Sequence, residues 1–344
     1  MKKVNKKKKK KLNWFTIVMI IIDIFVAGCF FLFYGPYTDF KNMIISTAMV
    51  TKTHQYIAYT FYSEEEVSKV VALNSYIVPS EEINLDDIII DTSDKKIYKD
   101  EYDKAILVRN EGNEDYKLIN IKISKYDAYL VAIYDPSKVT AITSKSFNTG
   151  NGQESVLKMC KRYNGLVCIN GGGFVDYGMG SDIPIGYIIK DGEVIWSDSE
   201  KRGNIIGITY DNKLSLINAT GEEAVASGIR DGLEFGPFLI VNGQKITNSS
   251  GAGGYDRAAR VAIAQRKDGI ILFLVTDGVH SRGPTLIEIA DTLEKYGAYN
   301  AANLDGGTSS QLVVNNKLIN NPLNIFGERV IGGRSVVSGF GLLP

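Results

Sequence analysis

Residues Trp14–Tyr34 read WFTIVMIIIDIFVAGCFFLFY, a 21-residue apolar run broken mainly by Thr16 and Asp23. At 1.5 Å per residue, a helix of this length crosses a hydrocarbon core of roughly 30 Å. The run therefore predicts a membrane anchor over residues 13–35, kept apart from whatever core the rest of the chain builds. Asp23 costs about 3 kcal/mol at the bilayer midplane, too little to offset so many aliphatic side chains. Trp14, Tyr34 and Tyr37 suit the two membrane interfaces. Eight of the 39 Lys and Arg residues lie in the first eleven positions, where there is no acid. Such a tail stays cytoplasmic, so residues 1–12 are expected inside and the body outside, a single-pass cell-membrane protein with its larger part extracellular. The stretch Val26-Ala27-Gly28-Cys29 resembles a lipoprotein cleavage box that would lipidate Cys29. The apolar run continues through Phe30–Phe33, which favours an uncleaved anchor.

The body excludes several classes of function. Beyond residue 34 acids outnumber bases 38 to 31, a poor balance for a nucleic-acid partner, and none is expected. Three Cys and two His argue against a Cys₄ or multi-His metal site, and no metal or cofactor is expected. No Walker lysine, Gly-x-Gly-x-x-Gly turn or Gly-x-Ser-x-Gly elbow is found. Cys160 and Cys168 are expected as buried free thiols, with a disulfide as the alternative an extracytoplasmic location keeps open.

Glycine divides what remains. Only five of the 34 Gly precede residue 165. Residues 36–116 read as a membrane-proximal stalk or small module, with one helix announced by the capping box Ser63-Glu64-Glu65-Glu66. From about residue 117 the apolar period becomes two, with turn dipeptides at Asp191-Gly192, Asp211-Asn212, Asn242-Gly243 and Asn315-Asn316. Two helices are expected, over Glu154–Tyr163 and over Thr285–Tyr296, the second with a Thr285/Glu288 capping box. The fold class is α+β, with mixed, largely antiparallel sheets and a few covering helices after one N-terminal transmembrane helix.

Three strand ends share one device. Leu166–Ile169 runs into Asn170-Gly171-Gly172-Gly173, Ile270–Val275 into Thr276-Asp277-Gly278, and Ala301–Leu304 into Asp305-Gly306-Gly307-Thr308-Ser309-Ser310. Each is an apolar strand ending on an amide or carboxylate beside glycine, where free backbone N–H groups can meet anionic oxygens. Arg257 and Arg260 precede the strand at Val261; Arg329 and Arg334 flank Ile331-Gly332-Gly333. Arginine forks suit phosphate.

Together these residues resemble the phosphodiester glycosidase family. Cys168–Phe174 is similar to its Asn-Gly-Gly-Phe-Phe motif, Pro184–Ile195 to its hairpin, Phe235–Leu239 to its Gly-Pro segment and Arg257–Ile263 to its Arg-containing strand entry. Asn303–Ser310 is the most specific match and Gly327-Glu328-Arg329 the last. The resemblance covers roughly 118–344, and the lysine-rich anchor is similar to Gram-positive members linked to exopolysaccharide synthesis. The chain departs from the pattern at Gly173-Phe174, Val279-His280 and Thr308. The resemblance implies a domain over 117–344 that hydrolyses a sugar-1-phosphodiester in an envelope or exopolysaccharide glycan. The leaving group is a phosphate monoester, whose second pKa near 6 lets it depart without a strong general acid. The site then needs a carboxylate near the anomeric carbon and donors for phosphate. Asp305 is the first candidate carboxylate and Asp277 the second. Arg260 leads for phosphate, ahead of Arg334 and Arg329. Asn170, Gly171, Gly172, Asn303, Gly306, Gly307 and Ser309 are expected to contact substrate; His280 is a lesser candidate for proton transfer, because its neighbourhood departs from the family's pattern. The competing reading is a non-catalytic protein that binds phosphate-bearing glycans through the same loops.

Overall fold

The computed structural model describes residues 13–50, 55–73, 82–94, 97–112, 115–176, 182–246, 257–278, 282–324 and 326–344. The chain divides into two compact units, Met1–Ser75 and Tyr76–Pro344.

In the first unit the helix Trp14–Tyr34 is long and apolar enough to cross a membrane, and none of its residues is buried. Asn13 caps it, accepting from the Thr16 amide at 2.8 Å. The expected helix after Ser63 is Glu64–Leu73, and both arms of its capping box close between Ser63 and Glu66. Thr38–Val50 and Gln55–Phe61 are also helical. They carry many β-branched and aromatic residues, so propensity alone does not favour them. Packing does: Ile45, Ala48, Ala58, Tyr62, Val67 and Val70 bury one another.

Among the described residues the second unit is built from three larger antiparallel sheets, of seven, five and five strands, and a two-stranded one. The largest has seven strands, in the order Tyr116–Ile123, Tyr126–Ile133, Ile271–Thr276, Val261–Arg266, Ala298–Leu304, Phe238–Val241 and Gln244–Lys245. Its two faces read off the strand alternation. Val131, Ile133, Val261, Ile263, Phe273 and Val275 point into a core shared with the two five-stranded sheets, through Ile206 and Ile208 of one and Val167, Ile169 and Phe340 of the other. Leu130, Ala132, Ala262, Ala264, Leu272 and Leu274 face the helix Leu286–Lys295. That helix presents Leu286, Ile289, Ala290 and Leu293, and its Thr285/Glu288 capping box is closed on both arms. The class is α+β, as expected.

All four turn dipeptides join strand pairs. Positive φ falls at Asp191, Gly192, Asn212, Asn242, Gly243, Asn315 and Asn316. Two expectations change. The stretch from Glu154 starts as a two-residue strand, Glu154–Ser155, paired with Ser335–Val336, and the helix is confined to Val156–Arg162. The cysteines are not free thiols: Cys160 and Cys168 form a disulfide with Cα atoms 5.8 Å apart. Both were correctly placed as buried, but the helix lies back against its following strand closely enough to bring the sulfurs together.

Residues 82–94 and 97–112, grouped on composition with the membrane-proximal stretch, run along the large sheet. The Ile89 and Asp91 amides donate to the carbonyls of Lys267 and Asp268, and Tyr299 Oη donates to Asp87. Ile106 and Leu107 of the helix Glu101–Leu107 enter the core under the sheet. Arg266, 9% exposed, fastens this strap through Asp103 at 2.7 Å, alongside Asp268 at 2.8 Å and the Tyr296 carbonyl.

Candidate functional site

Register brings two of the three strand ends together. Val261 is opposite Val275 on one side and Leu304 on the other. Arg260, Thr276 and Asp305 therefore follow at the same end of the sheet, with Asp277 one residue further. The Arg260 amide donates to Thr276 Oγ1 at 2.8 Å, and the Gly307 amide to the Ala259 carbonyl at 2.7 Å. With strands about 4.8 Å apart, the Asp277 and Asp305 backbones stand roughly 10 Å from one another across the Arg260 strand. The third strand end comes from another sheet. The Asp305 amide donates to the Gly171 carbonyl at 2.8 Å, so Asn170–Gly172 abuts the Asp305 turn.

This contact gives the amide and glycine residues partners within the protein. Asn170 is fully buried; its Nδ2 donates to the Asp305 carbonyl at 2.6 Å and its Oδ1 accepts from the Gln311 amide at 2.9 Å. It braces the Asp305 turn through both ends of its amide. The amides of Gly171 and Gly172 donate to the Ser338 carbonyl and hydroxyl. These N–H groups are committed, so they form no anion nest. Gly171 is glycine because a Cβ would stand 2.3 Å from Leu233 Cδ1 and 3.0 Å from the Gly339 backbone. At Gly306 a Cβ would stand 2.6 Å from the Ala259 carbonyl oxygen. Both let chains approach; neither opens a cradle.

The carboxylates are held differently. Asp305 is half-buried at the turn. Burial pushes its pKa from an ordinary 3.8 up to about 6, and nearby Asp176 pushes the same way; the Ser309 hydroxyl, Arg334 and the Gly306 amide pull it down. Ser309 is itself buried. Asp277 is also raised, mainly by burial, against bonds from the Asn321 amide at 2.7 Å and the Tyr129 hydroxyl at 3.3 Å. Tyr129 is pushed up to about 12 by burial and by Asp277, and stays a donor.

The arginines separate. Arg334 is mostly buried; its Nη1 donates to Thr308 Oγ1 at 2.7 Å and its Nη2 meets Asp176 Oδ2 at 2.9 Å. Arg260 is half-buried between the two acid-bearing strands. Arg329 is exposed on the loop between Asn321 and Arg334. Arg257 pairs with Glu288 and the Gly283 carbonyl, tying down the start of a helix. Asn303 is buried, and its Nδ2 donates to the Gly236 carbonyl at 2.9 Å. Among the described residues, Asn303 Oδ1 and Ser310 Oγ are buried polar atoms with no hydrogen-bond partner. His280 lies outside the described residues. Sequence reasoning missed Asp176, Tyr129 and Gln311. Asp176 carried a faint signal, an acid two residues past Gly173-Phe174. Tyr129 carried none, because it comes from a distant strand.

The family model for phosphodiester glycosidases matches residues 163–343, more than half of the chain. The chain belongs to the phosphodiester glycosidase family. The match takes in the Asn170, Asp277 and Asp305 strand ends. Among curated proteins the chain is similar to the SPbeta prophage-derived uncharacterized protein YomE of Bacillus subtilis (strain 168). The two are 31% identical over 198 residues, 55% of this chain and 30% of that protein. It is also similar to the N-acetylglucosamine-1-phosphodiester alpha-N-acetylglucosaminidase of Mus musculus, 27% identical over 169 residues, 44% of this chain and 32% of that protein. The matches thus span about a third of the length of these relatives. Among solved structures, the zebrafish N-acetylglucosamine-1-phosphodiester alpha-N-acetylglucosaminidase catalytic domain, auto-inhibited by its pro-peptide, has the same fold. Its TM-score is 0.57 at 20% identity, covering 68% of this chain and 85% of that one.

Proposed function

We propose that this protein is a membrane-anchored, extracytoplasmic phosphodiester glycosidase that hydrolyses a sugar-1-phosphodiester bond in a cell-envelope or exopolysaccharide glycan. The observation that carries the reading is the raised, half-buried Asp305 with Arg334 beside it at one sheet end, the Arg260 backbone lying on the neighbouring strand. The mouse relative's name supplies the substrate class, a sugar-1-phosphodiester.

The division of labour follows from the groups present. The sugar's anomeric carbon sits against Asp305, whose ionised form activates water or attacks directly and stabilises the oxocarbenium-like transition state. Its raised pKa makes it a stronger base than an ordinary carboxylate while leaving it charged at neutral pH. The departing phosphate monoester carries its own negative charge and takes hydrogen bonds from Arg334 and Arg260. Asn303 Oδ1, a buried acceptor without a partner, takes a hydrogen bond from a sugar hydroxyl or amide. Asp277 polarises the opposite side through Tyr129 and the Asn321 amide. Asn170, Gly171 and Gly172 act indirectly, by fixing the Asp305 turn. The helix Trp14–Tyr34 holds the body at the membrane, and the lysine cluster keeps the short tail inside.

The test is release of free sugar and phosphate monoester from a synthetic glycosyl-1-phosphodiester by the purified protein, with Asp305→Asn as the control. Turnover by the native chain and none by the variant supports the reading. Tight binding of the phosphodiester without turnover replaces it with that of a non-catalytic glycan-binding protein.

A further inference from the structure

Arg334 is fixed on several sides. Its Nη1 donates to Thr308, its carbonyl accepts from Gln311 Nε2 at 2.9 Å, and its guanidinium lies over the Phe174 ring, 5.1 Å from the centroid. The side chain is 17% exposed. Its ionic partner is held less deeply: the Asp176 side chain is 44% exposed, with Oδ2 at 2.9 Å from Nη2. The cation is the rigid member of the pair and the carboxylate the one that water reaches.

Charge makes this asymmetry consequential. A guanidinium binds carboxylate and phosphoryl oxygens through the same donors. In the free protein Arg334 lies near two acids: Asp176 in direct contact, and Asp305, whose ionisation Arg334 favours and Asp176 opposes. A phosphodiester arriving at Arg334 adds a third negative charge to one cation. The Asp305 backbone is tied at its turn by Asn170 and Gly171, whereas the Asp176 side chain is the more exposed member of its ion pair.

We propose that Asp176 is a built-in occupant of the anion site on Arg334, displaced by a phosphoryl oxygen of substrate or product, and that it thereby sets the site's affinity for phosphate. The inference rests on the reading of Arg334 as a phosphate partner. It assigns Asp176 a role that a simple brace lacks: it competes with the ligand, keeps Arg334 oriented while the site is empty, and speeds release of the phosphate monoester by returning.

Inorganic phosphate is the probe, titrated calorimetrically into the full-length protein in detergent at pH 7.5. Removing a partly exposed competing carboxylate is worth a few-fold, so Asp176→Asn should bind phosphate about two- to fivefold more tightly than the native protein. Asp176→Glu, which keeps the competitor, should bind like the native protein. Arg334→Gln should weaken binding at least tenfold, the order expected for losing a charge-assisted donor. Should Asp176→Asn melt early, Asp176→Ser carries the same test. Unchanged or weaker phosphate binding in a folded Asp176→Asn or Asp176→Ser protein overturns the proposal and leaves Asp176 a brace. Equal binding in native and Arg334→Gln proteins, or no binding in any of them, overturns it too. Phosphate exchange is measured without turnover, so absent hydrolysis with the expected affinity order refutes only the glycosidase reading.

Discussion

Replacing Asp305 with Asn should make the protein both inactive and more stable, and the two effects have one cause. The native environment pushes the Asp305 pKa from 3.8 to about 6, chiefly by burial. At 1.36 kcal/mol per pH unit, that difference corresponds to about 3 kcal/mol. The sign follows from linkage. Because the folded-state value is the higher one, the neutral carboxyl stabilises the fold. That stability is fully present below 3.8 and is lost as pH rises through about 6. Above pH 6 the native protein holds a charge where burial opposes it. Asn keeps the shape and can still accept from Ser309 and the Gly306 amide, and it does not titrate. The variant should therefore gain stability over the native protein mainly between pH 4 and pH 6, reaching about 3 kcal/mol at pH 7.5. For a unit of this size that is on the order of 6–12 °C in melting temperature. Turnover should fall by at least the roughly 10²–10⁴ that a positioned acid–base group contributes. Thermal melts of both proteins from pH 4 to pH 8, beside steady-state kinetics on a glycosyl-1-phosphodiester, measure both effects. A melting difference that does not grow with pH refutes the burial argument. Near-native turnover in the folded variant would falsify the catalytic assignment and turn attention to Asp277.

Activity of the native protein should decline tenfold per pH unit below an apparent pKa near 6, because the ionised form of Asp305 is the one required; a flat acid limb in kcat/KM excludes Asp305 as base or nucleophile. Arg266→Met should cost about 3–5 kcal/mol in denaturant unfolding, since it leaves Asp103 and Asp268 without their buried cation; a loss under about 1 kcal/mol means that the strap over residues 82–94 and 97–112 is held by its backbone bonds alone. Protease added to intact protoplasts should digest the chain beyond about residue 40, the membrane interface accounting for the rest; protection of the carboxy-terminal unit with loss of the lysine tail reverses the proposed orientation.

Much of this protein is written locally, in features whose physics needs only a few neighbouring residues. A 21-residue apolar run forms a helix long and apolar enough to cross a membrane, a property its length and composition alone set. Asn-Gly, Asp-Gly, Asn-Asn and Asp-Asn form hairpin turns because these residues accept positive φ, at both positions in three of the four turns and at Asn212 alone in Asp211-Asn212. Thr285 and Glu288 start a helix because each satisfies the other's amide. Asp305 is a candidate for a related reason, an acid followed by two glycines at the end of an apolar strand. Other properties depend on which distant segments meet, and the sequence does not state distances. The Cys160–Cys168 bond required the helix to fold back on its following strand. The helix Thr38–Val50 exists because Ile45 and Ala48 found Val67 and Val70. The sequence leaves the Gly171 and Gly172 amides open to an anion, and only the arrival of Ser338 takes them. Asp176 became part of the site when Arg334, more than 150 residues away in sequence, came within 2.9 Å of it. Turns and caps are decided by local dihedrals and near-neighbour hydrogen bonds. A buried acid's pKa, a brace and a competing carboxylate are decided by the field and packing of the whole unit, which exist only once the sheets have closed around them.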